Sequence, residues 1–277
     1  MRDSKESNRL NPWLFFLLTF GLSWAAWALA ALLSARDSAL LAQILHYAGG
    51  LGPLAVTLAL LYWRHTPVIR RDFWRRAIDF KRISIKWYGV VLLTVPALTA
   101  LGALADKLLG GIGLQMEAAD RFVQQPWAFV PFAVFTLAFG PLPEELAWRG
   151  YALDSLQVRR KALTASMVLG LAWTVWHLPL FFIQGSYQHG LGLGTSQFWL
   201  YMMDKVPQSV LMTWIYNNNR RSTLSAILFH FMVNLVGELF DLTLRAEAFY
   251  ILLWIIAAIG VTILWGPERL AHDKHGG

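Results

Sequence analysis

The sequence has no cysteine, which removes a disulfide framework, a thiolate nucleophile and cysteine-ligated metal from consideration. Charge is scarce as well: Asp, Glu, Lys and Arg make up 15% of the chain, against 56% hydrophobic residues. No HExxH stretch occurs, so the two-histidine zinc helix of many metallopeptidases is missing. There is no Gly-x-Ser-Gly segment for a serine nucleophile, and Asp204 is the one aspartate in the middle of an apolar run, so an aspartyl dyad lacks its second member. Internal repeats and long linkers are also absent, which leaves one domain spanning residues 1–277 as the simplest organisation.

What the chain has instead is apolar length. A mean hydropathy of +0.45 over 277 residues is too high for an ordinary soluble domain. A helix needs about 20 apolar residues to cross the roughly 30 Å hydrocarbon layer. Runs of that order occur at residues 13–34, 40–63, 87–109, 127–152, 162–184, 198–217, 222–240 and 247–266. The expected fold is therefore all-α, a polytopic transmembrane bundle of about eight membrane-spanning helices. The sixth run is the weakest, because Asp204, Lys205 and Pro207 interrupt it. The first run is longer than the apolar stretch of a cleaved signal peptide and is read as a span.

Lys and Arg fall unevenly between these runs. With the N-terminus inside, 18 lie on the cytoplasmic side and 4 opposite, so the positive-inside rule places both termini in the cytoplasm of a multi-pass cell-membrane protein. The net charge of +7 follows from this asymmetry and from contact with anionic lipid, and no nucleic-acid partner is expected. The second loop, "RHTPVIRRDFWRRAIDFKRISIKW", interleaves aromatics with arginines. It reads either as an amphipathic helix on the membrane surface or as a solvated loop.

A charge at mid-span costs about 2.5–3.5 kcal/mol on insertion scales, so each buried polar group asks for a function. Glu144, Glu145 and Arg149 lie in the fourth run, His177 in the fifth, Lys205 in the sixth, and His230 with Asn234 in the seventh. Residues four apart share a helix face while neighbours diverge. Glu145 and Arg149 thus form a self-neutralising pair, Glu144 points elsewhere into the bundle, and His230 projects beside Asn234. "FGPLPEE" predicts a break before the glutamates, with Pro143 at a helix start and a water-accessible pocket beside Glu144. Blander roles go to Pro179 (a packing kink), His46 beside Gly49 and Gly50 (helix-packing polarity), Lys205 (a side chain snorkelling to an interface) and Glu238 and Asp241 (solvated).

A carboxylate, two imidazoles and a carboxamide suffice for amide hydrolysis: an acid–base group for water and donors for the tetrahedral oxyanion. No cofactor is needed on this reading. The alternative is zinc held by Glu144, His177 and His230, a known catalytic ligand set.

"EELAWR", "WTVWH" and "HFMVN" resemble the three ordered motifs of the CAAX prenyl protease and bacteriocin-processing family, Glu-Glu-x-x-x-Arg, Phe-x-x-x-His and His-x-x-x-Asn or Asp. The likeness extends to "GGLGPLAVTLALLY" in the second run and to an eight-helix layout. It implies an intramembrane endopeptidase acting on a membrane-delivered peptide or protein. Glu144 with His177 would activate water, His230 and Asn234 would stabilise the oxyanion, and Glu145, Arg149 and Trp173 would support them. Trp173 stands where the family usually has Phe, with the same packing role expected. In a bacterial host the substrate would be other than a prenylated CAAX protein. The competing readings are a non-catalytic scaffold or bacteriocin-immunity protein of the same fold and, with less support because inverted repeats are missing, an ion-coupled transporter.

Overall fold

A computed structural model of the chain describes residues 11–36 and 38–272, and nearly all of them are helical. Arg2, Lys5, Arg9 and Lys274, which entered the charge count, lie outside the described residues.

Helix α1 (Pro12–Ser34) begins where proline costs no hydrogen bond, and the Asn11 side chain accepts from the Trp13 and Leu14 amides at 3.0 and 3.3 Å. It packs on α2 (Ala39–Gly50) through a glycine contact. The Trp27 ring lies where a side chain at Gly49 would stand, and its indole donates to the His46 carbonyl at 2.8 Å. The His46 contribution to this contact is its main-chain carbonyl and not its imidazole. The second apolar run is broken: α2 and α3 (Gly52–Arg64) meet at a 45° bend. Glycines flank Leu51 and Pro53 donates no amide, so neither chain stiffness nor a hydrogen bond holds the helix straight there.

The basic loop forms α4 (Pro67–Ile78), followed by α5 (Ile85–Leu108). Then come α6 (Glu117–Gln124), α7 (Pro126–Phe139), α8 (Pro141–Ala147), a π-turn (Trp148–Ala152) and α9 (Leu153–Gln157). Next are α10 (Ala162–Trp176), a 3-10 turn (Leu178–Phe182) that starts at the third residue of "WHLP", and α11 (Tyr187–Leu191). Helices α12 (Ser196–Asn218), α13 (Thr223–Leu239) and α14 (Leu244–Trp265) complete the bundle. Two residue pairs on one side form a short antiparallel ribbon, β1 (Leu114–Gln115) with β2 (Asp241–Leu242).

Among the described residues five helical segments are long and apolar enough to cross a membrane: α1, α5, the α7-to-α9 run, α10 with its 3-10 turn, and α14. The bent α2–α3 pair makes a sixth. The two apolar runs that do not qualify are the interior ones. Helix α12 is continuous through Pro207 but carries Asp204, Lys205 and Gln208, and every residue from Pro207 to Tyr216 is buried. Helix α13 has only 17 residues. These two are enclosed by the outer helices, α12 against α10 and α14, α13 against α5 and α8. The larger of two hydrophobic clusters among the described residues runs from Phe15 to Leu270 with Trp27, Trp148, Trp173, Trp176 and Trp254 fully buried.

The α10–α12 contact depends on Gly170, where a Cβ would stand 2.9 Å from the Val206 Cα and 3.0 Å from the Ser209 Cβ. A backbone atom cannot yield alone, so Gly170→Ala is expected to lower stability by about 1–3 kcal/mol despite the better helix propensity of alanine. Thermal unfolding in detergent checks this against Gly260→Ala, which meets nothing within 4 Å and should leave the midpoint unchanged or raised.

Candidate active site

Helix α7 ends at Gly140, whose φ of −130° and ψ of −91° leave the helical region, and the chain restarts at Pro141. Proline fits the first helical position, so Glu144 falls in the first turn of α8 and Glu145 just after it. The expected break is present, two residues earlier than Pro143. Gly140 also admits α13: a Cβ there would stand 2.9 Å from the Asn234 Nδ2, so the half-buried Asn234 amide lies against the broken backbone beside the glutamates. The π-turn beginning at Trp148 has no counterpart in the sequence reading. Such single wide turns are rare and occur frequently at functional sites.

Trp173 on α10 is the hub. Its indole N–H donates to the Glu144 Oε2 at 2.6 Å, and its carbonyl accepts from the His177 Nδ1 at 2.7 Å. Its ring centroid lies 5.1 Å from that of His230 and 5.7 Å from that of His177, and the Arg149 guanidinium sits 5.2 Å over it. A phenylalanine in this position could pack but could not hold the Glu144 carboxylate, so Trp173 does more than the packing role expected for it.

Glu145 and Arg149 make the expected ion pair, Nη1 to Oε1 at 2.8 Å, with both side chains fully buried. The same Oε1 lies 2.9 Å from the His230 Nδ1, a contact the sequence did not suggest. Each imidazole orientation follows from its partner. A carbonyl only accepts, so the His177 Nδ1 carries its proton, and Nε2 is the acceptor of the neutral ring. A guanidinium only donates, so Oε1 of Glu145 is an acceptor, and the His230 Nδ1 donates to it. Both histidines therefore turn Nε2 away from their anchors. Glu145 Oε2 and the Arg149 Nε and Nη2 are buried without hydrogen-bond partners among the described residues, unmet polarity of a kind that needs an explanation other than packing.

Lys205 departs from its expected role. It is 7% exposed and does not snorkel. Its ammonium bonds Asp204 at 2.6 Å, lies 3.8 Å over the Tyr201 ring and 5.7 Å over Trp173, and Gln208 donates to the other Asp204 oxygen at 3.0 Å. The Tyr201 ring is 5.7 Å from His177. Tyr201 was missed, although its spacing of four from Lys205 puts both on one helix face. Glu238 and Asp241 are exposed, as expected. Among the described residues no group of three or more His, Cys, Asp or Glu side chains is placed to hold a metal ion, and no step is routed through a metal; zinc on Glu144, His177 and His230 stays the alternative that chelation tests.

Residues 126–236, from α7 into α13 and including all seven expected site residues, match the family described as type II CAAX prenyl endopeptidase Rce1-like. Over 271 residues, 97% of this chain and 96% of the other, the sequence is 33% identical to a protein of Methanococcus maripaludis named CAAX prenyl protease 2.

Proposed function

The chain belongs to the CAAX prenyl protease and bacteriocin-processing family and is a multi-pass membrane endopeptidase, and on that premise we propose that it hydrolyses a peptide bond with a water activated by Glu144. The observation that carries this reading is the convergence on Trp173: its indole bonds the carboxylate of Glu144 and packs edge-on with the His230 ring, and its main-chain carbonyl accepts from the His177 ring. The Trp173 N–H fixes one Glu144 oxygen and leaves the other to take a proton from water. The second hydrogen of that water is accepted at His177 Nε2, which orients the oxygen lone pair toward the scissile carbonyl. Water oxygen adds to the carbonyl carbon as Glu144 takes the proton.

The resulting oxyanion is met by the Asn234 Nδ2 and by His230. In its imidazolium form His230 donates from both nitrogens, Nδ1 to Glu145 and Nε2 to the oxyanion. Collapse of the intermediate breaks the C–N bond while Glu144 returns its proton to the leaving nitrogen, giving one new carboxyl and one new amine. Glu145 and Arg149 do not touch the substrate. They hold the His230 ring in register, the arrangement by which a buried carboxylate fixes a catalytic imidazole.

The substrate class is a membrane-delivered peptide or protein, and both termini lie in the cytoplasm on the charge asymmetry. The Methanococcus relative's name makes a farnesylated CAAX peptide the first probe. In proteoliposomes, wild type should cleave it at a single bond with or without chelator, whereas Glu144→Ala, His177→Ala and His230→Ala should each lose activity. Loss of wild-type activity on chelation, restored by zinc, would replace water activation by the metal reading. Full biological function from all three inactive variants would favour a scaffold.

A further inference from the structure

Helix α4 faces two ways. Inward, Phe73 packs with Leu61, Leu146 and Ile227, and its ring edge lies 3.0 Å from where a Cβ on Gly150 would stand. One turn on, the buried Arg76 donates through Nη2 to the Gly150 carbonyl at 3.0 Å and pairs with Asp154 at 3.0 Å. Asp154 also accepts from Tyr216 at 2.9 Å and pairs with Arg221, while Tyr216 accepts from Arg76. Gly150 belongs to the π-turn and follows Arg149 directly. A continuous chain of contacts thus runs from Arg76 through the Gly150 backbone to Arg149, to Glu145 and to His230.

Outward, α4 and the residues after it expose Val68, Trp74, Ile78 and Phe80 together with Arg71, Arg75, Lys81 and Lys86. The acids of this segment are engaged: Asp72 pairs with Arg76 and Arg82, and Asp79 with Arg82. Both ends of α4 lead into membrane helices, α3 at Arg64 and α5 at Ile85, so this basic and aromatic face lies at the boundary of the bilayer. Its chemistry complements anionic headgroups, with apolar side chains for the acyl boundary and cations for the phosphates.

From these contacts we infer that α4 docks on anionic lipid and that Arg76 passes this docking to the π-turn, so that membrane charge sets the rate at the catalytic site. Arg76 is a positioning residue in this scheme. A π-turn is a marginal structure, and an external donor on its carbonyl biases which backbone register holds Arg149. Docking seats α4, α4 seats Arg76, and the Glu145–His230 contact is held for turnover. The inference rests on the peptidase reading above.

The test compares cleavage in vesicles of phosphatidylcholine alone with vesicles containing phosphatidylglycerol. Wild-type kcat should rise about five-fold in the anionic vesicles and the gain should fade with added salt. A variant carrying Arg71→Gln, Arg75→Gln, Lys81→Gln and Lys86→Gln should keep the neutral-vesicle kcat and lose the gain. Arg76→Met should show one low kcat in both vesicles with KM unchanged, and Phe73→Leu serves the same purpose if Arg76→Met does not fold. Equal wild-type rates in the two vesicles, or a gain that survives the four-site variant, would overturn docking; a gain that survives Arg76→Met or Phe73→Leu would overturn the coupling. Inorganic phosphate added to neutral vesicles should do nothing, and an equal gain from it would overturn the lipid assignment. Wild type that cleaves in neither vesicle would instead sink the peptidase reading itself.

Discussion

Glu144→Gln is expected to lower kcat by about three orders of magnitude with little change in KM, since positioned general acid–base groups contribute roughly 10²–10⁴-fold. Glutamine keeps the shape and can still accept from the Trp173 indole, but it cannot take a proton from water. Steady-state cleavage in proteoliposomes reads the effect, and an unchanged unfolding midpoint shows that the loss is chemical. Trp173→Phe separates holding from reacting. It removes the 2.6 Å donor and leaves the carboxylate, so kcat should fall by less, about 10-fold, the cost of one charge-assisted hydrogen bond. Wild-type rates in Glu144→Gln would remove Glu144 from the reaction.

The largest structural effect belongs to Arg149→Met. Arg149 and Glu145 are both fully buried, and removing one partner of such a pair strands the other charge at a cost of about 3–5 kcal/mol. The unfolding midpoint in detergent should fall steeply. Arg149→Met combined with Glu145→Gln should recover much of that loss, because no unpaired carboxylate is then left inside. It should not recover activity, because His230 has lost the anion that held its Nδ1. Full recovery of cleavage in the double variant would show that Glu145 plays no part in placing His230.

The helices were legible because membrane burial writes itself as long apolar runs: α1, α5 and α14 each begin or end within three residues of the expected bounds. The number of spans was less legible. Helix α13 reads like the others in sequence and α12 differs by its interruption at Asp204, Lys205 and Pro207, yet that both pack mainly on protein depends on tertiary neighbours. The site shows the same division. Spacing along one helix correctly paired Glu145 with Arg149 and left Glu144 free of it, because the i to i+4 relation is local. The bond from His230 to Glu145, the bond from Trp173 to Glu144 and the cage of Tyr201 and Trp173 around Lys205 each join different helices or use a backbone that a residue pattern does not encode. The π-turn was invisible for a related reason. Nothing in "WRGYA" demands it, and its partner Arg76 lies 74 positions earlier in the chain.

The central claim is that Glu144 activates water and does not itself attack the peptide. A single turnover in ¹⁸O-labelled water, with enzyme in excess over a farnesylated CAAX peptide, tests it most directly by mass spectrometry of both product and protein. Label in the new carboxyl group of the product and none in Glu144 is the predicted result. Label in the Glu144 side chain would mean that its carboxylate had bonded to the substrate carbonyl, and the account would be contradicted.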